Sequence, residues 1–236
     1  MPRAALLHNA TPIGSLHPEL LADSALFLPP ESDAIEALQR WAEYLHATER
    51  CGAWRRERVA VKYPDGKSLA AVERGAARVL GIGTEAVHLM GRTPDGCVWL
   101  QQRAFEKPSD PGLWDTLVGS LVSHGEMLAE TLMRETWEEA GLRLQDLVDL
   151  QAGGAFGVSK PSVDEGGLGH MVETIHWFTA VLPRGVAPVN HVGEVACFEA
   201  LEPDAVLARV LAGLCTDEAA WVLALALGWS LPVSGP

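Results

Sequence analysis

The 236-residue sequence predicts a mixed α/β sandwich preceded by a small α+β unit. Three observations carry this. A Thr93-Pro94-Asp95-Gly96 turn joins two apolar runs, Ala86–Met90 and Cys97–Arg103, which is a strong hairpin signal. A helical pattern from about Met127 to Ala140, stopped by Gly141, stands between strand-like segments. Two more helical patterns, Pro203–Ala212 and Thr216–Leu227, close the chain. Apolar residues make up 48% and charged residues 21%, enough to bury a core and to exclude wholesale disorder.

Taken in order, the first pattern is Ile35, Leu38, Trp41, Ala42 and Leu45, a helix with Ser32 as its expected N-cap. Trp54–Val61 alternates loosely and reads as a strand, and Tyr63-Pro64-Asp65-Gly66 reads as a turn. Leu69, Val72, Ala76, Val79 and Leu80 recur at helical spacing, so a helix is expected over Leu69–Leu80, ended by Gly81. These elements form an α+β unit over residues 1–84, and residues 85–236 form the second domain. There the hairpin is followed by a polar loop, Lys107–Gly112, and a strand, Trp114–Leu121. After the central helix, strands are expected near Leu147–Ala152, His170–Val181 and Val192–Leu201. Gly153–Gly169, rich in Gly, Ser, Pro and Asp, reads as a long loop, of the kind more often a lid or binding loop than filler.

Lys plus Arg is 18 and Asp plus Glu is 31, a net charge of −13. Such a surface repels phosphate backbones and anionic headgroups and attracts divalent cations, so neither nucleic acid nor membrane is an expected partner. Cys51, Cys97, Cys197 and Cys215 form no C-x-x-C pair and match neither a zinc site nor a disulfide scaffold, which points to a reducing compartment. The N-terminus has too short an apolar run for a signal peptide, and Ala219–Leu227 is about half a bilayer span. A cytoplasmic protein is expected.

The chemistry is concentrated in Gly119–Leu142, GSLVSHGEMLAETLMRETWEEAGL. At about 100° per residue, Glu135, Glu138 and Glu139 share one helix face. Ala129, Leu132, Met133, Thr136 and Ala140 occupy a neighbouring arc suited to packing on a sheet. Converging like charges repel, and a cation among them relieves the strain. Hard oxygen ligands without His or Cys suit Mg²⁺ or Mn²⁺. Mg²⁺ keeps several waters and commonly meets a substrate phosphate, so cleavage of a phosphoric anhydride is the natural chemistry. A solvated acidic helix face is the competing reading. Against it stand six identities in fixed register (Glu126, Arg134, Glu135, Glu138, Glu139 and Gly141), matched by chance at roughly 10⁻⁷ to 10⁻⁸ per register.

The segment resembles the box of the Nudix hydrolases, G-x5-E-x7-R-E-U-x-E-E-x-G-U with U aliphatic. Ser120 stands at the first Gly and Thr136 at the middle U, while Leu142 fills the last. The resemblance implies that Glu135, Glu138 and Glu139 ligate metal, with Glu138 or Glu139 also acting on the attacking water. It implies that the Gly119 carbonyl is a further ligand, that Glu126 supports the loop or a second metal, and that Arg134 orients a carboxylate. Which glutamate is the base is left open. Trp54–Val61, Leu69–Gly81, Val87-His88-Leu89, Lys107–Val118 and Pro188–Val195 resemble one subfamily, the thiamine-pyrophosphokinase-related group, which carries an N-terminal extension domain. Val192 stands where that group has Asp. The resemblance implies a small diphosphate substrate, with thiamine diphosphate and its oxidised analogues as one implied class. Since Nudix domains often dimerise, a homodimer is among the expectations.

Outside the box, Glu194 on a late strand is a further metal-ligand candidate, against a plain surface glutamate. Arg103 and Lys107 flank the loop entering the site and carry the right charge for phosphate oxygens, against ordinary surface charge. Trp114 and Trp177 are aromatic faces for a heterocycle, with core packing the favoured reading. His124 precedes Glu126 and could touch phosphate, with an exposed loop histidine favoured. Two other functions compete. Isopentenyl diphosphate isomerase, which shares the fold, needs a thiol where this sequence has Gly119. A non-catalytic binding module usually lacks a box glutamate, and all four are present.

Overall fold

The computed structural model describes residues 2–29, 31–162 and 166–230. Among these described residues, two compact units separate by their internal contacts, one drawn from the ranges 2–85, 121–126 and 157–174 and the other from 86–120, 127–156 and 175–230. The segment 121–126, inside the glutamate-rich box, therefore clusters with the N-terminal residues.

The chain opens with a hairpin, β1 (Ala4–His8) and β2 (Thr11–Leu16), paired antiparallel. Asn9 and Ala10 turn it with φ of 47° and 63°, the left-handed pair that a two-residue hairpin loop requires. A 3-10 turn leads into α1 (Leu21–Phe27), and α2 (Ala34–Ala47) follows. Asp33 caps α2, its side chain accepting from Ile35 N–H, so the expected cap at Ser32 falls one residue early. The helical stripe does form: Leu38, Trp41, Ala42 and Leu45 are buried. Burying a side chain of this size stabilises by about 1.5–3 kcal/mol, which makes this stripe the anchor of the first unit.

The helix expected over Leu69–Leu80 is absent. β3 (Arg58–Lys62) and β4 (Ser68–Glu73) instead form an antiparallel hairpin across the Tyr63–Gly66 turn, where Gly66 N–H donates to the Tyr63 carbonyl. Only Arg74–Ala77 is helical, as the short α3. The physical reason is that Ala70, Ala71, Val72 and Glu73 are all buried, so both faces of β4 are covered. A strand with two covered faces shows no period of two, and its apolar residues fell by coincidence on helical spacing.

The main sheet carries β5 (Gly83–Arg92), β6 (Val98–Arg103), β7 (Trp114–Asp115), β8 (Val118–Leu121), β9 (Val148–Ser162), β10 (Gly169–Val181) and β11 (Val195–Leu201). Its order is β11-β6-β5-β10-β9, with β7 beside β6 and β8 beside β5. The expected strand Trp114–Leu121 is broken in two. Thr116 breaks it: its N–H donates to Asp115 Oδ1 and its hydroxyl to the Val118 carbonyl, satisfying locally the groups a ladder would use. The long loop expected over Gly153–Gly169 is mostly strand. β9 runs on to Ser162 and β10 begins at Gly169, while residues 163–165 of the expected loop lie outside the described residues. Gly153 serves this strand by close approach, since a Cβ there would lie 2.0 Å from the Trp177 ring.

The central helix is α4 (Leu128–Ala140), and α5 (Pro203–Leu211) and α6 (Asp217–Leu227) end the fold. Glu130 accepts from Met127 N–H at the α4 start. Gly141 ends it at φ 64°, with Gly141 N–H donating to Trp137 and Leu142 N–H to Thr136. Leu132, Thr136 and Ala140 are buried as expected, but Met133 is exposed and lines an apolar groove with Trp137, Leu144 and Leu150. The buried arc of α4 is instead completed by Thr131 and by two acids, Glu135 and Glu139. Among the described residues no helix is long and apolar enough to cross a membrane.

Candidate active site

The carboxylates of α4 are held in two groups. Arg134 Nη1 donates to Glu135 Oε1 at 2.7 Å and to Glu138 Oε2 at 3.0 Å, so one guanidinium serves both. The i, i+4 spacing of Arg134 and Glu138 places them on one helix flank. Ser120, at the position the box assigns to glycine, donates its hydroxyl to Glu135 Oε1 at 2.6 Å. The departure therefore adds a donor to a box carboxylate.

Glu139 is the deeply buried acid, 3% exposed. Its Oε2 accepts from Gln101 Nε2 at 3.0 Å and from Gly119 N–H at 3.1 Å. Lys107 Nζ lies 3.8 Å from its Oε1 and 2.6 Å from Glu194 Oε2. Lys107 thus ties Glu194, just before β11, to the α4 site. Burial pushes the Glu139 carboxyl up from 4.5 to about 7, and the Glu135 charge adds to this. Lys107, Gly119 N–H and Gln101 pull it back down, since each favours the ionised form.

Gly119 is held tightly from behind. A Cβ there would lie 2.9 Å from His88 Cε1 and 3.4 Å from Asp115 Oδ1. His88 Nδ1 is 3.0 Å from Thr116 Oγ1, and Arg103 Nη1 donates to Asp115 Oδ2 at 3.4 Å. The guanidinium also donates to the Ser109 carbonyl, at 2.9 Å from Nη2. Arg103 therefore clamps the loop that carries Lys107, and its donors are turned to the protein, not outward. Trp114 is buried with the Arg209 guanidinium 4.0 Å above its ring, a packing position. His124 and Glu126 line a cavity of about 190 Å³ in the first unit, together with Lys62, Ser68, Thr84 and Glu85. There the box loop is fixed by backbone bonds: Val122 N–H donates to the Glu85 carbonyl and His124 N–H to the Arg58 carbonyl.

Sequence reasoning missed Gln101, His88 and Asp115. Each is a buried polar side chain. The only signal was a polar residue interrupting an apolar strand run, which does not reveal its partner.

Among the described residues, no three His, Cys, Asp or Glu side chains converge closely enough to hold a metal ion as they stand. The donor chemistry nonetheless fits a hard divalent cation. The acids are all carboxylates, and a buried carboxyl held near neutrality regains its charge when a cation arrives. Positive charge among these acids is supplied here by Arg134 and Lys107.

Comparison with known proteins shows the family. Nudix hydrolase 24, chloroplastic, from Arabidopsis thaliana is 32% identical over 143 residues, covering 59% of this chain and 38% of that protein. Nudix hydrolase 20, chloroplastic, from the same plant is also 32% identical over 143 residues, covering 59% of this chain and 37% of that protein. The chain thus spans well under half the length of these curated relatives. Among solved structures, DR0079 from Deinococcus radiodurans is similar in fold, with a TM-score of 0.56 and 22% identity over 71% of this chain and 97% of that one. A family model for the NUDIX domain matches residues 83–219, more than half of the sequence and the whole of the glutamate box. With the box glutamates set on and around one helix and the model matched across them, the chain belongs to the Nudix family.

Proposed function

We propose that the protein is a Mg²⁺- or Mn²⁺-dependent hydrolase that splits the phosphoric anhydride of a small X-diphosphate. The observation that carries this reading is Glu139: a box carboxylate buried beside Glu135, held by Gly119 and Gln101, with its pKa near 7. A carboxylate buried this deeply beside a second one is costly as a purely structural element, and a divalent ion between them would offset that cost. The bound divalent ion would supply charge neutralisation on the phosphate oxygens and a more acidic water.

In this reading Glu135, Glu138 and Glu139 would hold the ion, with the Gly119 carbonyl, Glu126 and Glu194 as further candidate ligands. Water attacks one phosphorus, forming a new P–O bond as the bridging P–O bond breaks, and a monophosphate leaves. Glu138 or Glu139 takes the proton from that water. Arg134 orients Glu135 and Glu138. Lys107 meets a phosphate oxygen, and Arg103 fixes the Lys107 loop. The Nudix region is taken to begin at residue 85, with residues 1–84 as an N-terminal extension, a division supported by the family match that starts at residue 83. A reducing, cytoplasmic location accords with the free cysteines, although the plant relatives are named chloroplastic.

For X, thiamine diphosphate and its oxidised analogues are the finer proposal, supported by the resemblance of Lys107–Val118 and Pro188–Val195 to the thiamine-pyrophosphokinase-related group. Product analysis by ³¹P NMR with Mg²⁺ tests both levels, against thiamine diphosphate, its oxo and oxy analogues, ADP-ribose and NADH. The Glu139→Gln protein is the blank. Monophosphate from the thiamine compounds, absent in the blank, supports the finer proposal, and turnover of the others alone supports only the coarser. No turnover of any compound by protein that binds Mg²⁺ would shift the reading to a metabolite-binding module.

A further inference from the structure

Two carboxylates from separate elements, Glu139 on α4 and Glu194 before β11, face a single ammonium, that of Lys107. The loop beneath it is braced. Lys107 N–H donates to the Ala104 carbonyl, Ala104 N–H donates to the Glu194 carbonyl, and Arg103 grips the Ser109 carbonyl. With its backbone held by these bonds, Lys107 carries its ammonium on a four-carbon stem. Its side chain is 14% exposed, so the charge is largely withdrawn from water.

We propose that Lys107 is an internal counterion, displaced from Glu139 and Glu194 by the divalent cation and thereby freed to meet the phosphate of the substrate. The inference rests on the hydrolase reading above. Three physical points carry it. Lys107 sits 3.8 Å from Glu139 Oε1, beyond hydrogen-bond contact. It therefore neutralises that acid only in part. A divalent ion offers twice the charge at about 2.0–2.1 Å from oxygen, and it wins the competition for the same atoms. An ammonium and a divalent cation cannot share one pair of carboxylates without strong repulsion at such short range. Lysine suits the exchange: its compact charge rides a flexible stem with three rotatable donors, whereas Arg134 is fixed by two carboxylates of its own helix. The device also explains how an acidic cluster folds before metal arrives. It imposes an order, with metal first and diphosphate second.

The test uses the full chain and Mn²⁺. Amine acylation, read by peptide mass spectrometry, reports the release of Lys107, and Lys67, 82% exposed, is the internal control. Adding Mn²⁺ is expected to speed Lys107 acylation severalfold while Lys67 is unchanged. In parallel, Mn²⁺ binding read by electron paramagnetic resonance is expected to tighten about two- to fivefold in Lys107→Met, the range set by removing a competing ion pair. Mn²⁺ binding by the wild type with Lys107 acylation unchanged or slowed overturns the counterion role and leaves the hydrolase reading standing. Affinity that is unchanged or weakened in Lys107→Met overturns it equally. If neither protein binds Mn²⁺, both readings fall.

Discussion

Replacing Glu139 with glutamine should make the metal-free protein more stable at alkaline pH. The folded-state pKa of Glu139 is raised from 4.5 to about 7. Between those values the folded protein holds a proton that the unfolded chain has lost. Its contribution is therefore fully present below 4.5 and is lost as pH rises through about 7. A shift of this size corresponds to about 3 kcal/mol at full ionisation, from about 1.4 kcal/mol per pKa unit. The glutamine avoids that cost at little expense in contacts. Gln101 Nε2 and Gly119 N–H both donate to Oε2, so one amide oxygen can accept from both. Only the 3.8 Å approach of Lys107 to Oε1 turns unfavourable. The assay is chemical denaturation with a chelator present, at pH 5 and pH 8.5. The variant should match the wild type closely at the lower pH and exceed it by about 2–3 kcal/mol at the higher. Parallel pH dependence in the two proteins would refute the argument that burial, and not local bonding, governs this carboxyl.

Glu138→Gln and Glu139→Gln should each lower turnover by about 10²–10⁴, the usual worth of a positioned acid or base, with the fold intact by circular dichroism. Gly119→Ala should cost about 1–3 kcal/mol in stability, because its Cβ would press to 2.9 Å on a buried histidine ring, and thermal melting would show it. Ser120→Ala removes the 2.6 Å hydroxyl bond to Glu135 and should cost about 1 kcal/mol in the metal-free protein, read from denaturant midpoints.

What could be read from the sequence followed the strength of local signals. The turn at Thr93–Gly96 was legible because Thr93 and Cys97 close it locally, with Thr93 N–H donating to the Cys97 carbonyl. α4 was legible because its stop and its acids obey one period, with Gly141 in the left-handed conformation that only glycine adopts cheaply. β4 was misread because burial on both faces erased its alternation. The strand part of Gly153–Gly169 was misread because Gly153 serves close approach to Trp177 there and not turning. At the site, the box acids were visible as identities in register. Their partners were not, since Gln101 is 38 positions from Glu139 and His88 is 28 from Thr116. Pairings over such distances are created by the sheet.

The backbone bonds from Val122 to Glu85 and from His124 to Arg58 bear on ancestry as well as geometry. Here the loop leading into α4 borrows a carbonyl from β3, an element of the preceding region. A descendant that shed the first 84 residues would leave the His124 amide seeking a new acceptor beside Glu126. The extension and the box loop are therefore expected to be inherited together, and grafting this box region onto another scaffold would require a replacement for the Arg58 carbonyl.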